Sequence, residues 1–153
     1  MGLNKVEVRD AVVKDIDVLV MLLEQLFSIE KDFIFNAERQ RKGLLMMIEG
    51  CGKHRAVKVA EYNGNVVGMC SVQTRISTAR GANVAVMEDL IVDSTLRKSG
   101  IGSKLSEAVF EWSRKRGIGH IQLLADMDNQ AALDFYSHQN WNRTNLVCLT
   151  KTL

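Results

Sequence analysis

The sequence predicts an α/β fold in a single domain spanning residues 1–153. One reason is the apolar, β-branched run from Val84 to Val92, which is followed by a glycine-bearing turn and an amphipathic helix. Another is Asn63-Gly64 between two strand-like runs, which is a strong signal for a β-hairpin turn. The 153 residues have ordinary globular hydrophobicity, and this length suits one domain with a substantial core.

The order of the elements follows from hydrophobic periodicity. Ile16, Leu19 and Leu23 recur at helical spacing, whereas residues 5–10 alternate as a strand does. The polar stretch 74–82 predicts a loop between the third and fourth strands. The predicted strands are 5–10, 56–61, 66–73, 84–92, 120–125 and 145–150, and the predicted helices are 14–27, 37–49, 101–116 and 129–138.

Charge and hydropathy exclude several classes of function. The formal net charge is +2 and the basic residues are scattered, which gives no reason to expect a nucleic-acid partner. No stretch is long and apolar enough to cross a membrane, and the N-terminus lacks the layout of a secretory signal. We therefore expect a cytoplasmic protein with no membrane partner.

The cysteines predict neither a disulfide framework nor a metal site. Cys51, Cys70 and Cys148 are odd in number and far apart, which suits reduced thiols. Cys51 and His54 have the spacing of half a metal site, but no second half follows, so no metal is expected. No Ser or Cys stands in a recognisable nucleophile elbow.

The stretch from Leu96 to Leu105 predicts a phosphate-binding turn. Its glycines lie at the start of a helix, where unpaired backbone N–H groups and the helix dipole favour an anion, and Arg97 and Lys98 add positive charge. A Walker-type loop is excluded because only one residue separates Gly100 from Gly102. A dinucleotide-binding loop is excluded because Leu105 stands where a third glycine is needed.

This stretch resembles the acyl-CoA motif of the GNAT superfamily of N-acyltransferases, in which Arg or Gln is followed after two residues by Gly, one residue, and Gly or Ala. A second motif of that superfamily, Asn, two residues, Ala, three residues and Tyr, is matched by Asn129, Ala132 and Tyr136. One departure is that Asn140-Trp141 stands where the family usually has Gly-Phe. Because Asn also tolerates a left-handed backbone, the departure affects only the local turn.

The resemblance implies a GNAT fold, with a mixed, mostly antiparallel central sheet of six to seven strands flanked by four helices. The fourth and fifth strands would splay apart and admit the pantetheine arm of acetyl-CoA. Ser103 is as consistent with a plain helix-surface position as with a cofactor contact. The resemblance implies these cofactor-binding residues: Leu90, Ile91, Val92, Arg97, Lys98, Ser99, Gly100, Ile101, Gly102, Ser103, Asn129, Ala132 and Tyr136.

The reaction implied is direct acetyl transfer from acetyl-CoA to an amine, for which two catalytic residues are expected. Tyr136 would protonate the leaving thiolate; otherwise it packs its helix on the sheet. Glu88 is the expected general base, because a carboxylate in an apolar strand should be partly buried, with a raised pKa. Asp89 is expected on the opposite face. Pairing of Glu88 with a buried cation or amide is nearly as well supported.

The acceptor is the least specified part of the prediction. In this family the first two helices and the loop before the fourth strand shape its site, here 27–36 and 74–82. Phe27, Glu30 and Phe33 are the expected substrate-binding residues, and the acidic group favours a small, polyamine-like or amino-acid-like amine. Phe33 and Phe35 could wall an apolar pocket, but a solvated loop with these two residues as staple aromatics is the favoured interpretation.

Three functions remain open: acetylation of a small amine, acetylation of a protein or peptide, and CoA binding without catalysis as a sensor. The first is favoured, and retention of both Glu88 and Tyr136 argues against the third. The edge strands of such a sheet need cover, which is compatible with a homodimer, although nothing in the sequence specifies one.

Overall fold

The computed structural model describes residues 5–50 and 52–153. The chain separates into two compact units, one ending at Leu123 and the other running from Leu124 to Leu153. A single domain over the whole chain stays a prediction. The first unit contains β1 Val6–Asp10, α1 Ile16–Ile29, α2 Ala37–Ile48, β2 Arg55–Tyr62, β3 Asn65–Ser77, β4 Ala82–Val92, α3 Ile101–Arg114 and β5 Ile121–Gln122, and the second contains α4 Gln130–His138.

The strands form one mixed sheet in the order β1-β2-β3-β4-β5. The first four strands pair antiparallel, and β5 pairs parallel with β4. The α/β class, the mixed sheet and the four helices are therefore confirmed. The predicted six to seven strands are wrong, because five strands form within the described residues.

The strand predicted at 145–150 is absent from the second unit. Its residues have no regular secondary structure, and Leu146, Val147 and Leu149 are each at least 80% exposed. Alternating apolar residues give a segment the propensity for a strand, but a strand forms only where another backbone completes its hydrogen bonds. The described residues supply no such partner for this segment.

The loop predicted at 74–82 is also shorter than expected. β3 and β4 continue through most of it, with Thr74 paired to Ala85 and Ser77 paired to Ala82. Only residues 78–81 form the turn, which Gly81 closes with a left-handed φ of 61°. The polar residues that suggested a loop are the exposed side chains of a long hairpin.

Helices cover both faces of the sheet. Met69 of β3 packs in a cluster with Leu19 and Leu23 of α1, whereas Gly68, the preceding residue, lies against Leu105 of α3. Since successive strand residues point to opposite faces, α1 and α3 lie on opposite sides of β3. A Cβ atom at Gly68 would meet Leu105 Cδ1 at 3.1 Å and the Ile91 carbonyl oxygen at 3.0 Å, so glycine permits this close approach.

Two of the three cysteines lie within the described residues. Cys70 is buried and Cys148 is exposed, and both are free thiols. Cys51, half of the weak metal signal, lies outside the described residues. Among residues 5–50 and 52–153, no group of side chains could hold a metal ion, and no helix is long and apolar enough to span a membrane.

An ion-pair network fixes the connection from β1 to α1. Both carboxylate oxygens of the buried Asp15 accept hydrogen bonds from Arg9, at 2.8 and 3.0 Å, and Val12 N–H donates to the same carboxylate at 2.8 Å. Arg9 Nε also donates to Glu61 of β2 at 2.9 Å. The bonds from Arg9 hold the pKa of Asp15 below its usual range, and they outweigh the cost of burial.

We predict that Asp15→Asn lowers the free energy of unfolding by about 2 kcal/mol at pH 7, because the amide cannot accept both arginine bonds. Since the folded-state pKa of Asp15 is depressed, its contribution is present above about pH 4 and is lost as the pH falls further. Denaturant titrations of both proteins at several pH values measure this difference.

The matched control is Asp17→Asn, which removes the exposed ion pair with Arg41. The Asp17 side chain is 85% exposed, so we expect a loss below about 0.5 kcal/mol. Equal effects of the two substitutions would contradict the role given to the network.

Candidate functional site

A β-bulge interrupts β4 in the segment predicted to hold the catalytic base. Ile91 pairs with Met69 and Glu88 pairs with Ser71, so Asp89 and Leu90 lie opposite the single residue Cys70. Asp89 has a left-handed φ of 53°, which is uncommon for a residue other than glycine. Such bulges locally break the ladder and turn backbone and side-chain groups in new directions.

After Val86, the edge of β4 that faces away from β3 has no neighbouring strand among the described residues. β5 pairs only with Ala85 and Val86, and none of the described residues pairs with 87–92 on the side away from β3. Backbone N–H and C=O groups along such an edge can bind an extended ligand in the manner of an added strand. Leu90, Ile91 and Val92 lie on this open edge, and their contacts with a pantetheine arm stay a prediction.

The two adjacent carboxylates of β4 differ from expectation. Glu88 is exposed, so the expectation of partial burial is wrong for this residue, and Asp89 is the half-buried carboxylate. Burial raises the pKa of Asp89 to about 6, and the neighbouring Glu88 carboxylate adds to the rise. The extra residue of the bulge is the physical reason, because it ends the regular alternation on which the prediction depended.

The backbone around Glu88 is held by β3. Ser71 Oγ donates to the Glu88 carbonyl at 3.2 Å, and Cys70 Sγ lies 3.6 Å from the same oxygen. Burial raises the pKa of the Cys70 thiol well above its usual range, so this cysteine is an inert core residue. The bulge is thus fixed by buried neighbours.

The loop 93–100 leads from β4 into α3 as predicted. Gly100 is the N-cap of α3, with a left-handed φ of 84°, and Lys98 has a φ of 59°. No side chain caps the helix from the glycine position. The start of α3 therefore keeps backbone N–H groups available for a bound anion.

Two basic residues stand beside this helix start. Arg97 Nε donates to the Val92 carbonyl at 3.0 Å, which fixes the side chain beside the end of β4. Arg97 and Lys98 are both exposed, whereas Ser99 donates through its hydroxyl to the Leu96 carbonyl. Of the three, the two basic side chains are the better candidates for phosphate contact, and Ser99 acts within the loop.

The second motif forms the start of α4 in the second unit. Asn129 is the N-cap, and its Oδ1 accepts from Ala132 N–H at 3.2 Å. This bond explains the three-residue spacing of Asn and Ala, because an N-cap oxygen reaches the third helical N–H. The carboxamide nitrogen of Asn129 is the part of the side chain suited to donating to a ligand.

Tyr136 lies in the last turns of α4, within an aromatic group. Its ring packs edge-to-face on Phe135 and on Trp141, with centroid distances of 5.4 and 5.9 Å. Asn140 has a left-handed φ of 64°, and Trp141 N–H donates to the Tyr136 carbonyl at 3.1 Å, which closes the helix. Asn140 therefore supplies the turn for which the family usually has glycine, as expected.

The expected acceptor residues lie at the end of α1 and in the loop after it. Phe27 and Phe33 stack with centroids 5.2 Å apart, and Phe33 is 54% exposed. Phe35 packs against the core, which favours the staple interpretation for that residue. Glu30 is half-buried in the same loop.

Sequence reasoning missed two residues that shape this region. Asp93 is the N-cap of a short 3-10 turn, Ser94–Leu96, within the loop 93–100, and its side chain accepts a hydrogen bond from Thr95 N–H at 3.0 Å. Gln25 of α1 donates to Asp93 at 3.0 Å. An Asp two residues before a threonine is a turn signal that could have been noticed, but the contact with Gln25 spans 68 residues and has no local signature.

The sequence of this chain is similar to a protein family and to individual proteins. A model described as the acetyltransferase (GNAT) family matches residues 22–141. An uncharacterized N-acetyltransferase of Archaeoglobus fulgidus is 28% identical over 90% of this chain and 93% of its own length. One of Methanocaldococcus jannaschii is 30% identical over 58% of this chain, but the match spans only 40% of that protein.

A solved structure extends the likeness in fold. An aminoglycoside N-acetyltransferase in complex with CoA superimposes with a TM-score of 0.81 at 16% identity. The superposition covers 96% of this chain and 94% of the other. At this identity the likeness shows the fold alone.

We predict that Gly100→Asp abolishes CoA binding in a calorimetric titration. A carboxylate at the N-cap would accept the helix N–H groups itself and repel a phosphate. The matched control is Gly81→Asp, which places the same side chain at another left-handed glycine, in the β3–β4 turn. Unchanged CoA affinity in Gly100→Asp would contradict the assigned binding role of this helix start.

We also predict that Asp89→Asn raises the melting temperature at pH 7.5. The folded-state pKa of about 6 lies above the unfolded value of about 3.9, so ionisation of Asp89 destabilises the fold as the pH rises from about 4 to 6. Asparagine tolerates the left-handed backbone, which removes a backbone cost from the comparison. The gain should shrink towards zero at pH 4.

Asp32→Asn, in the exposed loop after α1, serves as the control for loss of one negative charge. We expect it to leave the melting temperature nearly unchanged at both pH values. A loss of stability in Asp89→Asn at pH 7.5 would show that the carboxylate has a stabilising partner.

Proposed function

This chain belongs to the acetyltransferase (GNAT) family, and on that premise we propose that it transfers an acetyl group from acetyl-CoA to the primary amine of a small molecule. The observation that carries the proposal is the run from the open edge of β4 to the uncapped start of α3. The open edge of β4 can bind an extended chain such as a pantetheine arm, and the start of α3 can bind phosphate groups. An acyl-CoA contains both a pantetheine arm and phosphate groups.

The chain's own residues divide the contacts to acetyl-CoA. Leu90, Ile91 and Val92 offer backbone groups to the pantetheine arm, and the N–H groups at Ile101 and Gly102 face the pyrophosphate. The list of assigned contacts is completed by Arg97, Lys98, Ser99, Gly100, Ser103, Asn129, Ala132 and Tyr136.

Glu88 is the proposed general base. A bound alkyl amine must lose a proton before it attacks, since its pKa is about 10.4. The exposed carboxylate of Glu88 can accept that proton directly or through water. Its neighbour Asp89 raises the negative potential at the bulge, which attracts a cationic amine.

The remaining steps require an oxyanion donor and an acid. As the new C–N bond forms, a main-chain N–H in 90–92 stabilises the tetrahedral oxyanion. When the C–S bond breaks, the Tyr136 hydroxyl gives its proton to the leaving thiolate, and the proton that the new amide nitrogen releases restores the tyrosine hydroxyl through solvent. No covalent enzyme intermediate is needed, which accords with the inert state of Cys70.

The acceptor is proposed to be polyamine-like or amino-acid-like. The stacked pair Phe27 and Phe33 offers an apolar wall, and Glu30 offers a carboxylate in the same loop. The solved structure named above is an aminoglycoside acetyltransferase, which is also a small-amine class. The short turn 78–81 adds little to the acceptor side, because β3 and β4 occupy most of the stretch 74–82, for which the sequence predicts a loop.

The test is thiol release from acetyl-CoA with a panel of small amines and amine-bearing peptides. We predict turnover with at least one small amine and a fall of about 100-fold or more in kcat for Tyr136→Phe, which retains the ring packing but has no proton to give. Glu88→Gln should lower kcat/KM most strongly near neutral pH. An unchanged rate at neutral and alkaline pH would remove Glu88 from the mechanism.

Other outcomes distinguish the other functions. Turnover with peptides and not with small amines would assign protein or peptide acetylation. Tight CoA binding without turnover on any amine would assign a sensor. Absence of CoA binding would overturn the proposal.

A further inference from the structure

The side chain of Gln25 bridges α1 to the loop that precedes α3. Its Nε2 donates to Asp93 Oδ2 at 3.0 Å, and its Oε1 accepts from Ser94 N–H at 3.0 Å. Both ends of one carboxamide are therefore used by two consecutive residues of the same loop. Such a two-point contact fixes orientation as well as distance.

Asp93 carries this contact into the rest of the loop. Its other carboxylate oxygen, Oδ1, accepts from Thr95 N–H at 3.0 Å and from Thr95 Oγ1 at 2.6 Å. Its carbonyl accepts from Leu96 N–H at 2.9 Å, and its own N–H donates to Val67 of β3 at 2.8 Å. The hydrogen bonds that the Asp93 carboxylate accepts from Thr95 and Gln25 hold its pKa below the usual range, so the carboxylate is ionised near neutral pH.

The contact is half-buried and crosses between elements that are distant in the sequence. Gln25 and Asp93 are both half-buried, and no other side-chain hydrogen bond among the described residues joins α1 to the loop 93–100. Gln25 lies two residues before Phe27, whose ring stacks on Phe33. The last turns of α1 therefore contact the loop 93–100 through Gln25, and through Phe27 they also contribute to the proposed apolar wall of the acceptor site.

We propose that Gln25 is a positioning residue for CoA, which holds the loop 93–100 in the geometry that presents Arg97, Lys98 and the start of α3 to the phosphates. This inference rests on the proposed function. A loop fixed before binding loses less conformational entropy when the ligand arrives, so removal of the clamp weakens affinity without removing any ligand contact.

The test is the dissociation constant for CoA, measured by calorimetry on the full chain. Gln25→Ala should weaken CoA binding about tenfold, the effect of losing two modest hydrogen bonds. Met21→Ala is the matched control, since Met21 lies one turn earlier on the same helix and is 62% exposed. It should change CoA affinity less than twofold.

A charge-swapped pair separates positioning from general stability. Gln25→Glu places a carboxylate against Asp93, and Asp93→Asn places an amide donor against the Gln25 amide donor, so each single variant should weaken CoA binding. In the double variant Gln25→Glu/Asp93→Asn, a hydrogen-bond donor again faces an acceptor at each of the two contacts. The amide introduced at position 93 can donate to the carboxylate introduced at position 25, and that carboxylate still accepts from Ser94 N–H. The CoA affinity of the double variant should return to within about threefold of the wild type.

The outcomes are distinct. A wild-type protein that does not bind CoA overturns the proposed function. A wild type that binds, with Gln25→Ala within twofold of it, overturns this inference alone. If Gln25→Ala does not fold, the swap decides, since a double variant no tighter than either single variant also overturns the inference.

Discussion

The pairing of β3 with β4 is the constraint on which the rest of the first unit depends. The two strands pair from Gly68 and Val92 at one end to the turn 78–81 at the other, and β5 contributes only two further pairs. This one-sided support lets the outer edge of β4 stay open while the strand remains fixed. A sheet that also closed the outer edge would have no place for an extended ligand beside Leu90, Ile91 and Val92.

The β-bulge is the part of β4 where the backbone and side-chain conformations cost the most folding free energy. Asp89 adopts a left-handed backbone, and burial and the neighbouring Glu88 carboxylate disfavour the ionised form of its half-buried side chain. Both features oppose folding, and they persist because the surrounding pairs and buried Met69, Cys70 and Ser71 fix the strand on either side. Strain held by a well-packed frame is typical of functional sites, where stability is exchanged for geometry.

The sequence predicts those parts of the structure that local chemistry decides. Asn63-Gly64 predicts a hairpin, and both residues have left-handed φ values, of 50° and 79°. Asn140 replaces glycine at a helix end and adopts the expected conformation. In each case one or two neighbouring residues contain the whole reason.

Features that depend on distant partners escape the same reasoning. The alternation of β4 gives no sign of the extra residue at Asp89, so it predicts burial of Glu88, whereas Asp89 is the half-buried residue. The segment 145–150 has the pattern of a strand but no backbone to pair with among the described residues. The contact of Gln25 with Asp93 depends on how α1 lies across the sheet, which no local pattern records.

The bulge also makes the length of β4 a property that the site cannot lose. Two residues of β4 occupy the space opposite Cys70, so removal of either one would let regular pairing run through this position, with the partners on both flanks unchanged. The side chains on both flanks would keep their faces, but the left-handed kink at Asp89 would be lost. The extra residue is therefore needed for the geometry of the site and not for the pairing of the strand.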